Sequence, residues 1–407
     1  MNLLFLCHRL PYPPQRGGKI RPFNMIRHLA RSNRVTVATL ARGQRELIEG
    51  QPLREHCHEL HIGLIPPAAG WSRFATRSVT PTPSTFAYFH SPSLRRAVGR
   101  LLARERFDAI VVHCSSMGPY VGHYRGCRKV MDFGDADSEK WLEYARRKPF
   151  PASLGFWLEG MKVRRAERRL GEQFDACSVI SGRERSVLER FVAKPIEVIP
   201  NGVDLEYFRP SGNDGNGYRP RRLVFTGNMS YGPNVEAVRH LVAEILPRIE
   251  REVPGVELYV VGMDPAREVR RLADGQRVIV TGRVDDVRPY LQSAAAAVAP
   301  LPVARGLQNK VLEAMAMRVP VIASPAARAG IDAVPGRDLL VADDAGTFAD
   351  AVVSVLRDAT KRQRYADAGR AYVTANHNWD RVLRRLDDLV AGGSVSRLPT
   401  GASARTR

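Results

Sequence analysis

The sequence predicts an α/β protein made of two doubly wound parallel-sheet domains that face each other across a cleft. Three observations carry this. The chain has 407 residues, too many for one ordinary core. Short apolar runs alternate with helix-length stretches twice over, once before residue 208 and again after 222. Between the two series, residues 209–221 (RPSGNDGNGYRPR) hold no apolar run and are rich in Gly, Asn and Pro, as a linker would be. The expected division is a first domain over 1–208, the linker, and a second domain over 222–378. A C-terminal helix over 379–390 can pack back on the first domain, and 391–407 reads as a disordered tail.

Composition narrows the classes further. A hydrophobic content of 44% with 26% charged residues is that of a globular chain. No stretch is apolar for long enough to span a membrane, and Cys7-His8-Arg9 ends the short apolar run at the N-terminus, so no signal peptide is expected. Five scattered cysteines without CxxC spacing argue against zinc and against a disulfide framework, which suits a reduced, cytoplasmic protein. The net charge is +20 and unevenly placed: residues 1–200 carry 33 Lys+Arg against 18 Asp+Glu, the remainder 29 against 24. Anionic lipid, nucleic acid and phosphorylated substrates are the partners this favours. The charge is diffuse and accompanies no helix-turn-helix, RNA-recognition or zinc pattern, so nucleic acid is not expected.

Asn2–Leu6 reads as a buried strand. The loop HRLPYPPQRGGKIR follows, then a helix over Pro22–Ala30 and a strand over Val35–Leu40. Gly17 and Gly18 stand beside that helix without GxGxxG spacing, which counts against a dinucleotide fingerprint. Residues 62–93 are too irregular for a core element. Their aromatics (Trp71, Phe74, Phe86, Tyr88, Phe89), interleaved with Arg73 and Arg77, suit either a membrane-interface edge or a long loop packed on its own domain. Phe107–His113 is a strand ending in a histidine, where ligands sit in open parallel sheets; a hydrogen-bonded strand-end histidine is the alternative. Asp132, Asp135 and Asp137 lack the Glu and Gly spacing of a calcium loop, and Ser138 or Asp137 is expected to cap the helix holding Trp141. The helix Phe156–Phe174 carries Lys162, Arg164, Arg165, Arg168 and Arg169 on a solvated or membrane-attracted flank.

In the second half, strand Arg222–Thr226 leads through Gly227-Asn228 to a helix running from Pro233 to Ile249. The stretch 299–324 (APLPVARGLQNKVLEAMAMRVPVIAS) is a strand–loop–helix–strand unit. Its helix starts near Gln308 or Asn309, with Lys310 as a mobile cation in the first turn and Glu313 just beyond. Backbone N–H groups and the positive dipole end make such a helix start favourable for phosphate.

Several stretches together resemble the retaining GT-B glycosyltransferases of family four. They are PPQRGGKIR, FDAIVVH, SVISGRE, IPNGVDLEYF, the Gly-Asn loop after LVFTG, YVVG, VTGRVDDVRPYLQSA and KVLEAMAMRVPVIAS. MDFGDADSEKW, GNMSYGPNVEAV and RGLQNKVLEAMA further resemble the subgroup linked to exosortase-associated exopolysaccharide systems of Gram-negative bacteria. The resemblance implies two Rossmann-like domains, a nucleotide-diphosphate sugar as donor, a saccharide or lipid-linked acceptor, and no bound cofactor or metal. It implies a cytoplasmic enzyme, peripheral on the inner membrane if the basic half attracts anionic lipid. It points Glu313 at the donor ribose, Gly17 and Gly18 at the acceptor and donor phosphate, and His113 at the transferred sugar. The donor-binding set is then Gly17, Gly18, Gly227, Asn228, Arg305, Asn309, Lys310 and Glu313, with His113, Glu313 and Arg305 at the chemistry.

There are two departures from the family pattern. Arg305 stands where the family has a glutamate, and the family's Arg…Lys pair after the first strand of the second domain is absent. Arg305 and Lys310 are the cations left to neutralise a diphosphate. The competing readings are a nucleotide-sugar epimerase on the same fold and a catalytically silent sugar-nucleotide-binding homologue.

Overall fold

The computed structural model describes residues 1–15, 17–77, 80–210, 217–304 and 306–393. Two compact units emerge: Met1–Ile199 with the segment from Leu383, and Pro200–Val382.

In the first unit the described strands form one parallel sheet. They are β1 (Asn2–Cys7), β2 (Arg34–Ala41), β3 (Glu59–Leu64), β4 (Ala109–His113), β5 (Arg128–Gly134), β6 (Ala176–Val179) and β7 (Ile196–Val198), ordered β3-β2-β1-β4-β5-β6-β7. Leu3 to Cys7 and Ala109 to Val112 are fully buried, as continuous apolar runs must be when helices cover both faces. The strand order reverses between β1 and β4, so the carboxyl ends of those two strands border the crevice where doubly wound sheets take ligands. The register is Cys7 opposite His113, His113 opposite Asp132, and Asp132 opposite Ser178. Paired positions in a parallel sheet point to one face, so this row brings His113, Asp132 and Ser178 together.

The second unit repeats the plan with β8 (Arg219–Thr226), β9 (Glu257–Val261), β10 (Val278–Gly282), β11 (Ala294–Ala299), β12 (Val321–Ala323) and β13 (Leu340–Val341), ordered β10-β9-β8-β11-β12-β13. Its switch point lies between β8 and β11. The central strand β11 is AAAAVA, a poor strand sequence by propensity. Burial of all six residues overrides that preference.

Several expectations need correction. The first helix spans Gly17–Leu29, five residues earlier than expected, so Gly17 and Gly18 lie in its first turn rather than in a loop. Pro22 removes one helical N–H, but burial of Phe23, Met25 and Ile26 and a tie from Arg21 to β5 outweigh that loss. Residues 62–93 are not one irregular loop: β3 ends at Leu64, and helices Pro67–Arg77 and Ser84–Tyr88 follow. The buried Glu159 fixes the second of these by accepting from the Ser84 and Thr85 N–H groups. The helix Asp137–Arg147 has no side-chain cap; Ser138 donates to Glu167, and Asp137 accepts from Ser115 instead. The expected Pro233–Ile249 helix is Gly232–His240 followed by wider turns over Leu241–Ile245 and a helix Leu246–Glu252, because Pro247 supplies no N–H.

Residues 200–208 sit with the second unit, not the first. Val203 N–H donates to His377 O at 2.6 Å, and a Cβ on Gly202 would meet the Trp379 ring at 2.7 Å. β8 already begins at Arg219, inside the expected linker, of which 211–216 lie outside the described residues. The expected C-terminal helix is two: Trp379–Val382, in the second unit, and Arg384–Ala391, which joins the first through Arg128 Nε to Leu389 O (2.6 Å) and His28 to Asp387 (2.8 Å). Of the expected tail, 394–407 lie outside the described residues.

The tightest backbone approach in the second unit is at Gly262, where a Cβ would lie 1.6 Å from Gly227 O. Gly262→Ala must push β9 away from the Gly227 turn, so we expect a loss of more than about 2 kcal/mol in urea unfolding. Wild-type stability in that variant would refute this account of the turn.

Candidate active site

In the first unit the site is built around a fully buried carboxylate. Asp132 Oδ2 accepts from Arg21 Nε (2.8 Å) and lies 2.7 Å from His113 Nδ1; Oδ1 accepts from Arg21 Nη2 (2.7 Å) and Ser178 Oγ (2.8 Å). Arg21 Nη1 continues to Ile199 O at 2.8 Å. Burial alone would raise the Asp132 carboxyl. The Arg21 charge and hydrogen bonds, with His113, hold it well below the usual carboxylate range. An ionised Asp132 can only accept, so Nδ1 of His113 carries the proton and Nε2 is the nitrogen left for other work. His8, at the end of β1, lies beside it with ring centroids 5.8 Å apart. Burial, then Arg9 and His113, keep the His8 imidazole well below its ordinary range.

The first unit holds a further buried carboxyl at Glu167. Glu167 accepts from Ser138 N and Oγ; burial, with Asp137 nearby, pushes its carboxyl up to about 8. Asp137 also accepts from Ser115 Oγ at 2.9 Å, which ties the loop after His113 to the Asp137–Arg147 helix. Among the described residues no group of three or more His, Cys, Asp or Glu side chains is set to hold a metal ion.

In the second unit the candidate donor site gathers at the switch point. Lys310 Nζ donates to Asn234 Oδ1 (2.7 Å) and stands 4.2 Å from the Phe225 ring centroid; Asn234 Nδ2 donates to Asn228 O (2.8 Å). Lys310, read from sequence as a mobile cation, is therefore tethered, because its stem crosses β8 on the way to Asn234. Gly227 closes the set. Its φ is +154°, and a Cβ there would meet Asn234 Nδ2 at 2.8 Å and Lys310 Nζ at 3.0 Å, so a side chain is excluded by contact. Asn228 Oδ1 accepts from Ser230 N and Oγ, which folds the loop back on itself. A small pocket lined by Thr226, Ala299, Lys310 and Val311 lies between β8 and β11. The helix Asn309–Ala316 puts Glu313 one turn beyond Lys310. Burial lowers the Lys310 ammonium and raises the Glu313 carboxyl, and each charge opposes the other's shift. Asn309 Oδ1 accepts from Asn201 Nδ2 at 3.3 Å, so the IPNGVD segment braces the helix start.

The structure thus brings Gly227, Asn228, Asn309, Lys310 and Glu313 together in one unit, and places Gly17, Gly18 and His113 in the other. Arg305 lies outside the described residues. Sequence reasoning missed Arg21, Ser178 and Asn234, and took Asp132 only as a rejected metal ligand. The signal for Asp132 was its position at the end of an apolar strand, like His113.

A model described as Glycosyltransferase Family 4 matches residues 16–207, and one described as Glycosyl transferases group 1 matches 220–358. The chain belongs to the group 1/family 4 glycosyltransferases. Its fold is GT-B, with two parallel-sheet Rossmann-like domains. A GDP-mannose-dependent alpha-(1-6)-phosphatidylinositol monomannoside mannosyltransferase of Mycobacterium tuberculosis is 31% identical over 258 residues, covering 56% of this chain and 65% of that protein. A GDP-mannose-dependent monoacylated alpha-(1-6)-phosphatidylinositol monomannoside mannosyltransferase of Corynebacterium glutamicum is 27% identical over 249 residues, with the same coverage of 56% and 65%. The chain thus spans about 65% of the length of these curated relatives. Among solved structures, a sucrose-phosphate synthase from Thermosynechococcus elongatus superposes with a TM-score of 0.72 at 19% identity, over 96% of this chain and 99% of that one. Anabaena HepE in complex with UDP-glucose gives 0.68 at 14% identity, over 96% and 100%. At these identities the likeness is one of fold.

Two outcomes follow from the buried carboxyls. Asp132→Asn leaves Arg21 buried without its counter-charge, and equilibrium unfolding should show a loss of about 3 kcal/mol or more. The folded Glu167 holds its proton to about pH 8, the unfolded one to only about 4.3, so stability falls as pH rises through that window. Glu167→Gln should flatten that decline in urea titrations; an unchanged slope would show that Glu167 does not set it.

Proposed function

We propose that this chain transfers a sugar from a nucleotide-diphosphate sugar to a saccharide or lipid-linked acceptor, with retention at the transferred carbon. The observation that carries the reading is the tethered Lys310 under Gly227, with Glu313 one turn along the same helix. A fixed cation beside a helix N-terminus suits a diphosphate, and a carboxylate one turn on suits ribose hydroxyls. Arg305, four residues before Asn309 in sequence, adds a second cation for the leaving diphosphate. His113, with its tautomer fixed by Asp132, presents Nε2 to a hydroxyl of the sugar or acceptor. In this reading the acceptor hydroxyl attacks on the face the diphosphate leaves, the departing phosphate oxygen takes its proton, and no enzyme nucleophile is used.

The names of the curated relatives favour a mannosyl donor and a lipid-borne acceptor. The resemblance of MDFGDADSEKW and RGLQNKVLEAMA to exosortase-associated transferases favours exopolysaccharide assembly at the cytoplasmic face of the inner membrane. Among the described residues no helix is long and apolar enough to cross a membrane, so in this reading association with it is peripheral.

Calorimetry with GDP-mannose and UDP-glucose tests the donor half. Glu313→Ala, Lys310→Met and Arg305→Ala should each weaken donor binding about tenfold or more while keeping a cooperative melt. His113→Ala should keep donor binding and lose transfer. Full activity in folded Glu313→Ala would overturn the assignment. Conversion of donor to an epimer without acceptor would replace it with an epimerase.

A further inference from the structure

Among the described residues, Trp71, Phe150, Leu154, Trp157, Leu158 and Met161 are large apolar side chains left exposed on or beside two neighbouring helices of the first unit. On the helix Ala152–Gln173 the inner side is fixed by the buried Glu159, Gly160, Val163, Glu167 and Leu170. Its outer side carries Leu154, Trp157, Leu158 and Met161, all exposed, at the i, i+3, i+4, i+7 spacing of a single helical stripe. Phe150, 79% exposed, sits in the turn just before this helix, and Trp71, 61% exposed, lies on the neighbouring Pro67–Arg77 helix. The two helices are joined by Lys162 Nζ donating to Arg77 O (3.5 Å) and by an aromatic chain from Phe74 through Trp141 to Phe156, with centroids 6.2 and 5.8 Å apart. A large apolar stripe turned outward on an otherwise anchored helix marks a surface that something covers.

Charge identifies the occupant. From Tyr144 to Ala166 the sequence holds one acidic residue, Glu159, and it is buried. The same segment carries Arg146, Arg147, Lys148, Lys162, Arg164 and Arg165. Glu139 and Glu143, just before it, pair with Arg146, Arg147 and Arg164, which leaves Lys148, Lys162 and Arg165 in excess. The Pro67–Arg77 helix adds Arg73 and Arg77 with no acid. Arg165 continues the stripe, so along one helix face the surface passes from Trp and Leu to cation. Tryptophan and aliphatic groups framed by arginine and lysine fit the boundary of an anionic bilayer, where the rings sit at headgroup depth and the cations meet phosphate.

The geometry points to this face as a docking surface for an anionic lipid bilayer. It rests on the transferase reading only for its purpose, which is to bring a lipid-borne acceptor to the enzyme; the docking itself does not depend on catalysis. The experiment is co-sedimentation of the full chain with vesicles of phosphatidylcholine alone and of phosphatidylcholine with phosphatidylglycerol, at low and raised salt. Binding should require phosphatidylglycerol and weaken with salt. The triple variant Phe150→Ser/Trp157→Ser/Leu158→Ser should lower the partition about tenfold or more. Lys148→Glu/Arg165→Glu should remove the dependence on phosphatidylglycerol. Thermal-shift response to GDP-mannose or UDP-glucose should be unchanged in both, which separates failure of docking from failure of the donor assignment. Two results overturn the proposal: equal sedimentation of wild type and the triple variant, or a wild-type dimer in sedimentation velocity that the triple variant abolishes, since the face would then be covered by a second copy.

Discussion

An ionised carboxylate with no access to water has to be paired, and Asp132 is that carboxylate in the first unit. Its three hydrogen-bonding partners, Arg21, His113 and Ser178, come from separate places in the sequence, and Arg21 reaches on to Ile199 O. Removing either member of so deeply buried a pair strands a charge, at a cost of about 3–5 kcal/mol. The pair therefore does more than stabilise. It draws the first helix forward so that Gly17 and Gly18 become its opening turn, ties that helix to the end of β7, and holds one tautomer of His113. Arg21 presents two parallel donors in the geometry of a carboxylate, which a lysine could not reproduce.

The second unit reaches a comparable result by close approach rather than by a buried ion pair. Gly262 and Gly227 let the ends of β9 and β8 touch through backbone atoms, and the space left beside Gly227 is filled by Asn234 and Lys310. Both arrangements lie at the carboxyl ends of strands beside the switch point of a parallel sheet, where neighbouring loops diverge and leave backbone groups open to a ligand. A sugar transferase needs charge compensation for its leaving diphosphate and oriented groups for its sugar. In the proposed reading the tethered Lys310 serves the first need and the fixed imidazole of His113 the second.

The apolar runs Leu3–Leu6, Ala109–Val112 and Ala295–Ala299 made the two sheets legible in the sequence, because parallel strands covered on both faces read as continuous hydrophobic segments. His113, Lys310 and Glu313 were legible as candidates from their places at strand ends and in a helix's first turns. The helix starting at Gly17 was not, because Pro22 signals a helix start and is overridden by burial of Phe23, Met25 and Ile26 together with the Arg21–Asp132 pair. The helices within 62–93 were hidden for a similar reason: their stability comes from contacts such as Glu159 with Ser84 and Thr85, seventy-odd residues away in sequence.

The sequence by itself determined the fold class, the two β/α series and the family, since these follow from hydrophobic period and local motifs. Tertiary structure alone decided which polar residues meet. Asp132 read only as a rejected metal ligand, and the register across β4, β5 and β6 aligns it with His113 and Ser178; Lys310 read as a mobile cation, and Asn234 holds it. Register and long-range pairing depend on how strands from distant parts of the chain are set side by side, which no local pattern encodes.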